Sequence, residues 1–358
     1  MAGNKKLLML VPYSIDVMNS APAVRAYNMY NALKEEMPAT LICGSKWERA
    51  LLELRQAFKR EPVAYVYIEA MGSDLTLCDH LFLNCLKRRG VLLFPFIRDL
   101  YWRFPGMVNR KYSSSKVAAF KRSVRAHIRL YDEKELKYYL RNATALLFPS
   151  LLMADTIDFP KKYALPPGGD ASRCLNPELP QNKNITFVGG ISPKMGIDIL
   201  MEAMAIVVKE CPEAHCTIVG HGDEEIINRW KDKKYVTFLT NKIHKDIPEI
   251  LSNAYAVAIP RPGIPHNNFA MPLKLFDYMS CARPIIATNC TAMANFITEN
   301  DIGIITNDNP ESLAKGILKL LNSRDLAIKY GRNALSAIQN KHSWKHSARA
   351  LIEIMQKY

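Results

Sequence analysis

Three stretches in the second half of the chain combine glycines, lysines and a carboxylate at spacings suited to holding a phosphate ester. In Phe187-Val188-Gly189-Gly190-Ile191-Ser192-Pro193-Lys194-Met195-Gly196 an apolar, strand-like run ends at two glycines, and a turn leads into a helical pattern. Backbone N–H groups and the helix dipole at such a junction favour an anion, and glycine lets the backbone come close to it. Lys194 would add a point charge to a diphosphate. Glycine-containing strand–helix turns also occur without ligands, so a plain structural turn stays open for this stretch alone. Ile218-Val219-Gly220-His221-Gly222-Asp223 repeats the arrangement, and His221 receives no role. The third stretch is Asn267-Asn268-Phe269-Ala270-Met271-Pro272-Leu273-Lys274-Leu275-Phe276-Asp277-Tyr278-Met279. Lys274 and Asp277 are three apart and share a helix face. A cation for phosphate and a carboxylate for vicinal ribose hydroxyls would form a nucleotide clamp, with an ordinary helical ion pair as the alternative.

These residues need elements to position them, and the chain alternates two patterns. Strand-like runs in the first half are Leu7–Tyr13, Ala39–Gly44, Val63–Ile68, Val91–Phe96, Ala143–Pro149 and Tyr163–Pro166, with helical patterns such as Ala23–Glu36 and Trp47–Lys59 between them. Short apolar strands alternating with helices imply a parallel sheet covered on both faces. Asp170–Lys183 is polar, carries Pro177 and Pro180 and lacks periodicity, so it reads as a linker. The alternation then restarts with Ile185–Gly189, Cys216–Gly220, Val236–Thr240, Ala254–Pro260, Pro284–Thr288 and Gly303–Thr306. The expected fold is α/β, two doubly wound Rossmann-like domains facing across a cleft, with sites at the carboxyl ends of the strands. The expected divisions are 1–170, a linker over 171–183, 184–340, and a C-terminal helix over 341–358 that returns to the first domain.

The 358 residues suit about two domains. A hydrophobic content of 49% and a charged content of 23% are those of a globular protein. Leu7–Val11 is stopped by Pro12, and no apolar run reaches the roughly 20 residues that cross a bilayer, so a cytoplasmic chain without a signal peptide is expected. The eight cysteines are scattered with no CxxC pair, which suits free thiols in a reducing compartment. The formal charge is +14, and Lys87–Arg141 holds fifteen Lys/Arg against four Asp/Glu. Such a patch attracts nucleic acid, anionic lipid or phosphorylated substrates, or is simply a solvated face. Within it Ser115–Arg141 mixes apolar residues with cations, and Phe94, Phe96, Tyr101, Trp102 and Phe104 precede it. Peripheral contact with an anionic membrane is the sharper expectation. No nucleic-acid recognition motif accompanies the charge, so no nucleic acid is expected as a partner.

The ordered set of Gly189-Gly190-x4-Met195-Gly196-x-Asp198, Gly220-x-Gly222, Lys274-Leu275-Phe276-Asp277-Tyr278-Met279 and Arg283-Pro284-Ile285-Ile286-Ala287-Thr288, ending near Ser343-Trp344, resembles glycosyltransferase family 4, the retaining nucleotide-sugar enzymes of the GT-B fold. The resemblance spans roughly 184–357. Ala21-Pro22-Ala23-Val24-Arg25 resembles the family's Gly-Pro-x-x-Arg opening of the first helix, and Leu165–Asp170 the approach to its hinge. The resemblance implies a nucleoside-diphosphate sugar on the second domain, with Gly189, Gly190 and Lys194 at the diphosphate. Gly220, Gly222, Lys274 and Leu275 would lie around the donor, and Asp277 at the ribose. It implies an acceptor near Ala21 and Arg25. Arg98-Asp99 stands where many members have a His-Asp pair close to the reacting carbon. Gly190 and Met195 stand where members often carry Arg and Lys, and Asp277 where they carry Glu. The first glutamate of the family's carboxylate pair has no counterpart, since Phe269 lies eight residues before Asp277. Asn267 or Asn268 is expected against the donor sugar instead.

The activity so implied is glycosyl transfer with retention to a glycan or lipid-linked acceptor, in polysaccharide or glycoconjugate synthesis. Lys194 and Lys274 would stabilise the leaving diphosphate, and Asp99 would orient the acceptor. No permanently bound cofactor and no metal is required by this scheme. Two rivals are a nucleotide-sugar-binding partner subunit without catalysis, favoured by the missing glutamate, and a nucleotide-sugar epimerase of similar fold. A nicotinamide oxidoreductase is disfavoured, because Ser14–Asn19 after the first strand lacks a glycine fingerprint.

Overall fold

Leu7–Val11 and Ile285–Ala287 bury every side chain, as strands covered by helices on both faces must. The computed structural model describes residues 5–16, 20–59, 62–69, 75–104 and 132–358. The chain divides into two units, Met1–Pro166 with Ser347–Tyr358, and Pro167–His346.

In the first unit β1 (Lys6–Leu10), α1 (Ala21–Glu36), β2 (Ala39–Ile42), α2 (Lys46–Lys59), β3 (Val63–Ile68), α3 (Leu77–Arg88) and β4 (Leu92–Pro95) follow in order. A helix α4 over 132–142 leads to β5 (Leu146–Phe148), α5 (Leu151–Ala154) and β6 (Lys162–Ala164). The sheet runs β2-β1-β3-β4, all parallel, and a parallel bridge from Phe96 to Leu147 carries the order on to the β5–β6 pair. Residues 105–131, which hold seven of the fifteen cations of the basic stretch and much of Ser115–Arg141, lie outside the described residues.

The second unit contains β7 (Asn184–Val188), α6 (Ile197–Glu210), β8 (His215–Val219), α7 (Glu224–Trp230), β9 (Val236–Leu239), α8 (Ile247–Ser252) and β10 (Ala256–Ile259). Then come α9 (Pro265–Phe269), α10 (Leu273–Ser280), β11 (Ile285–Thr288), α11 (Thr291–Glu299), β12 (Gly303–Thr306), α12 (Pro310–Leu321) and α13 (Arg324–Asn340). The parallel sheet runs β12-β11-β10-β7-β8-β9. Its two faces are covered by separate apolar clusters, one around α6 and α12, the other around α10 and α11. The last helix, α14 (Trp344–Gln356), starts here and is counted with the first unit from Ser347 onward.

The expected linker over 171–183 is instead strapped onto the second unit. Arg283 is fully buried and donates to the carbonyls of Asn176 and Glu178, while Arg324 donates to those of Leu179 and Pro180 at 2.6 and 2.9 Å. The segment lacks periodicity because its backbone carbonyls are satisfied by arginine side chains rather than by a ladder. The change of unit falls at Pro166–Pro167.

Helix α2 turns its polar side inward. Arg49, Glu53 and Gln56 are buried, and Trp47, Leu51, Leu54 and Phe58 are exposed. Arg49 grips Asp79 of α3 with two bonds, at 2.8 and 2.7 Å, and also donates to the carbonyls of Pro12 and Gly44. Asp79 further accepts from Thr76 in the capping box of α3. Burial raises the Asp79 carboxyl, but donors on Arg49, Glu53 and Thr76 more than offset this and hold it below the usual range. Burial and the neighbouring Asp79 push Glu53 up to about 9. The folded chain therefore holds a proton on Glu53 that the unfolded chain releases, and this contribution to stability is full at low pH and is lost as pH rises toward about 9. Glu53→Gln, which cannot ionise, is expected to melt like the parent at about pH 4 and at a higher temperature at about pH 8. Equal melting temperatures at both would show Glu53 to be ionised in the fold.

Candidate functional site

Strand β7 neighbours β10, with β8 and β9 continuing to one side and β11 and β12 to the other. The direction of winding thus reverses between β7 and β10, and doubly wound sheets bind ligands at the carboxyl ends of the strands at such a switch point. Here those ends are Gly189-Gly190 after β7 and Pro260-Arg261 after β10. Gly196, with a φ of +74°, brings the start of α6 against β10, where a side chain would strike the Pro260 carbonyl.

Gly189 has a φ of +144°, and a Cβ placed on it would lie 2.4 Å from Lys274 Nζ. Lys274 reaches this point from the first turn of α10, its amine 3.9 Å from the centre of the Phe187 ring. That amine is shut off from water and has no hydrogen-bond partner among the described residues. Burial, with the Arg261 charge adding to it and Asp277 opposing, holds its pKa well below the usual lysine value. Gly190 faces open space. A buried amine without a hydrogen-bond partner, beside an open glycine turn at a switch point, has the makings of an anion site.

Lys274 and Asp277 do not form the helical ion pair their spacing allows. Asp277 pairs with Arg173, from the segment expected to be a linker. Arg173 also lies 3.3 Å from His244 Nε2 and donates to the His244 carbonyl. Burial and the Arg173 charge push the His244 imidazole below its usual value. Arg173, His244 and Arg261 were not expected at the site. Arg261 could have been found, since it directly follows a strand that ends at the switch point. Arg173 carried no signal because its segment has no element of its own.

The other expected donor residues divide into those left open and those used for packing. The N–H groups of Gly189 and Ile191 already donate to Val219 and His221 carbonyls, at 2.8 and 3.0 Å. Gly220 packs on the Gly189 carbonyl and Gly222 on that of Ile191, so both hold the two turns together rather than facing a ligand. Lys194 is exposed on the single turn Pro193–Met195. The helix dipole expected beyond it is met by Asp198, whose carboxylate accepts from Arg229 and Trp230. Leu275 is fully buried in the core and packs α10 rather than a ligand. Asn267 is buried, its amide donating 2.9 Å to the Pro262 carbonyl, while Asn268 is half-buried on α9. The loop after β10 is long because it contains this short helix. Among the described residues no group of three His, Cys, Asp or Glu could hold a metal ion.

In the first unit the expected acceptor residues also separate. Ala21 is exposed at the first position of α1, beyond the Ser20 cap. Arg25 is buried in the core, 2.7 Å from Glu69, with Tyr67 and the Leu165 carbonyl as further partners and the Phe96 ring 3.9 Å away. It therefore braces α1 against the sheet and is not a surface contact for an acceptor. Arg98 and Asp99 follow β4 and are half-buried. Arg98 donates to Tyr13 Oη at 3.2 Å, and Asp99 accepts from the Leu100 N–H at 2.7 Å.

Residues 182–323 match the family model described as Glycosyl transferases group 1. A spore coat protein SA of Bacillus subtilis is 27% identical over 192 residues, covering 49% of each chain. The chain thus spans about half the length of the curated relatives it matches. Among solved structures, a sucrose-phosphate synthase from Thermosynechococcus elongatus superposes with a TM-score of 0.71 at 14% identity, covering 99% of this chain and 98% of that one. HepE of Anabaena in complex with UDP-glucose gives 0.68 at 12% identity, covering 98% and 100%. At such identities the superpositions speak to fold alone, and the fold they share is GT-B. The fold is therefore GT-B, and residues 182–323, within the second unit, are similar to the glycosyl transferases group 1 family.

Proposed function

We propose that the chain transfers a glycosyl group from a nucleoside-diphosphate sugar to a glycan or lipid-linked acceptor, with retention of configuration. The observation that carries this reading is the buried, unpartnered amine of Lys274 against Gly189. A diphosphate at the open side of Gly190 would supply the missing counter-charge. In the transfer step the bond from the anomeric carbon to the diphosphate oxygen breaks, and charge grows on that oxygen. Lys274 and Arg261 would be the cations that stabilise it, since fixed cations held away from water act strongly. Asp277 would take the ribose hydroxyls once Arg173 shares or releases it. Asp99 and Arg98 are proposed for the acceptor, with Ala21 at its edge. HepE, crystallised with UDP-glucose, supports a nucleotide-sugar donor, and a uridine nucleotide is the first to test.

A binding subunit without catalysis is the second reading. Phe269 stands where the family's first carboxylate would be, and Asp277 is already engaged by Arg173. Release of free sugar or glycoside from the donor by the pure chain would exclude it.

A thermal-shift panel of nucleoside diphosphates and their sugars should show stabilisation by one base, increased by its sugar. Lys274→Ala is expected to weaken that binding by about 10- to 100-fold; unchanged affinity would remove Lys274 from the site. Because the free amine is held below its usual pKa, an incoming diphosphate should draw a proton onto it. Affinity should therefore fall as pH rises toward the usual lysine range, as the bound amine loses its proton. Calorimetry in two buffers of different ionisation enthalpy should show proton uptake that disappears in Lys274→Ala. Arg173→Ala frees Asp277 and is expected to change affinity for the nucleoside diphosphate while leaving inorganic pyrophosphate binding unaltered. An equal change for both would place Arg173 at the phosphates instead.

A further inference from the structure

We propose that the outward faces of α2 and α3 dock the first unit onto an anionic lipid bilayer. The proposal deepens the lipid-linked acceptor reading, yet it stands on residues away from the donor site. Trp47, Leu51, Leu54 and Phe58 recur at helical spacing and form one line along α2, with Trp47 76% and Phe58 78% exposed. Leu77 and Leu81 form a second exposed line on α3. The two helices lie side by side. Arg49 bonds Asp79 at their N-terminal ends, and Arg89 donates to the Ala57 carbonyl near their C-terminal ends. Soluble surfaces scatter such residues singly, and a patch of this kind marks a contact.

What meets the patch is decided by its charge. Lys46, Arg55 and Lys59 flank the α2 line, and Lys87, Arg88 and Arg89 close the end of α3. Glu48 is the single exposed acid on the two helices, and its carboxylate accepts from the Ser45 N–H at 2.7 Å. A second copy of this chain would set cations against cations across the patch. An anionic bilayer surface offers apolar depth for Trp and Phe and negative headgroups for the rim. Helix α2 has 14 residues, about 21 Å, and would lie in the plane of the interface. An interfacial helix ordinarily turns its polar face to water. Here that face is clamped by the Arg49–Asp79–Glu53 network, which fixes the apolar face outward whether or not lipid is present.

The test is co-sedimentation of the full chain with phosphatidylcholine vesicles made with and without phosphatidylglycerol. The chain should sediment with the anionic vesicles only, less so as salt is raised, and Trp emission should shift to the blue, a shift lost in Trp47→Phe. Trp47→Ser with Phe58→Ser should lower binding at least about tenfold while leaving melting temperature and nucleotide-induced thermal shift unchanged. Lys46→Glu with Arg55→Glu, which keeps every apolar residue, should also lose the anionic preference. No binding by the parent chain, or equal binding by either double variant, overturns the proposal. It is equally overturned if sedimentation velocity shows a dimer that Trp47→Ser with Phe58→Ser converts to monomer, since the occupant would then be a second copy. Nucleotide binding is read separately, so failure here leaves the transferase reading standing, and the reverse holds too.

Discussion

An amine buried without a partner is costly, and in the second unit the switch-point architecture is arranged to keep one so. Lys274 sits against a glycine whose missing side chain makes the room, over the face of Phe187, with Arg261 adding like charge nearby. Desolvation and like charge both favour the neutral amine, and an anion brought close would favour the charged one. The glycine turns after β7 and β8 serve this arrangement indirectly. They lock to each other through the Ile191–Gly222 bridge and so hold Gly189 and Gly190 in place at the end of the strand.

Three other buried cations among the described residues, Arg283, Arg25 and Arg49, do have partners, and the contrast is informative. Arg283 spends its donors on the carbonyls of the 174–180 segment. Arg25 is paired with Glu69, and Arg49 with Asp79. These groups replace regular backbone ladders or tie helices to a sheet. Breaking such a pair leaves a charge stranded in the interior, so each specifies how its neighbours must sit. The Lys274 amine is buried as these residues are, but without a hydrogen-bond partner.

The alternation of apolar runs and helical patterns was legible from the residues alone. So were the strands that carry the glycine turns. Several assignments failed for one physical reason: a linear pattern does not say which face of an element points inward. Gly220 and Gly222 looked like ligand glycines and are packing glycines. Leu275 lies within the matching motif and belongs to the core. Arg25, expected beside the acceptor, is buried with Glu69. In α2 the apolar line that ordinarily marks the inner face points outward, because the bidentate Arg49–Asp79 bond and the proton on Glu53 hold the polar face in.

Local sequence determined the parallel α/β architecture, because runs such as Leu7–Val11 are too apolar for anything but a strand covered on both sides, and the glycines end those runs where turns are needed. Contacts between residues distant in sequence belong to the tertiary structure. Arg173 meets Asp277 across 104 positions, and Lys274 meets the turn at Gly189 only because β7 and β10 are neighbours. No local propensity encodes those meetings. They follow from strand order, and strand order is settled by how the whole set of helices and strands packs.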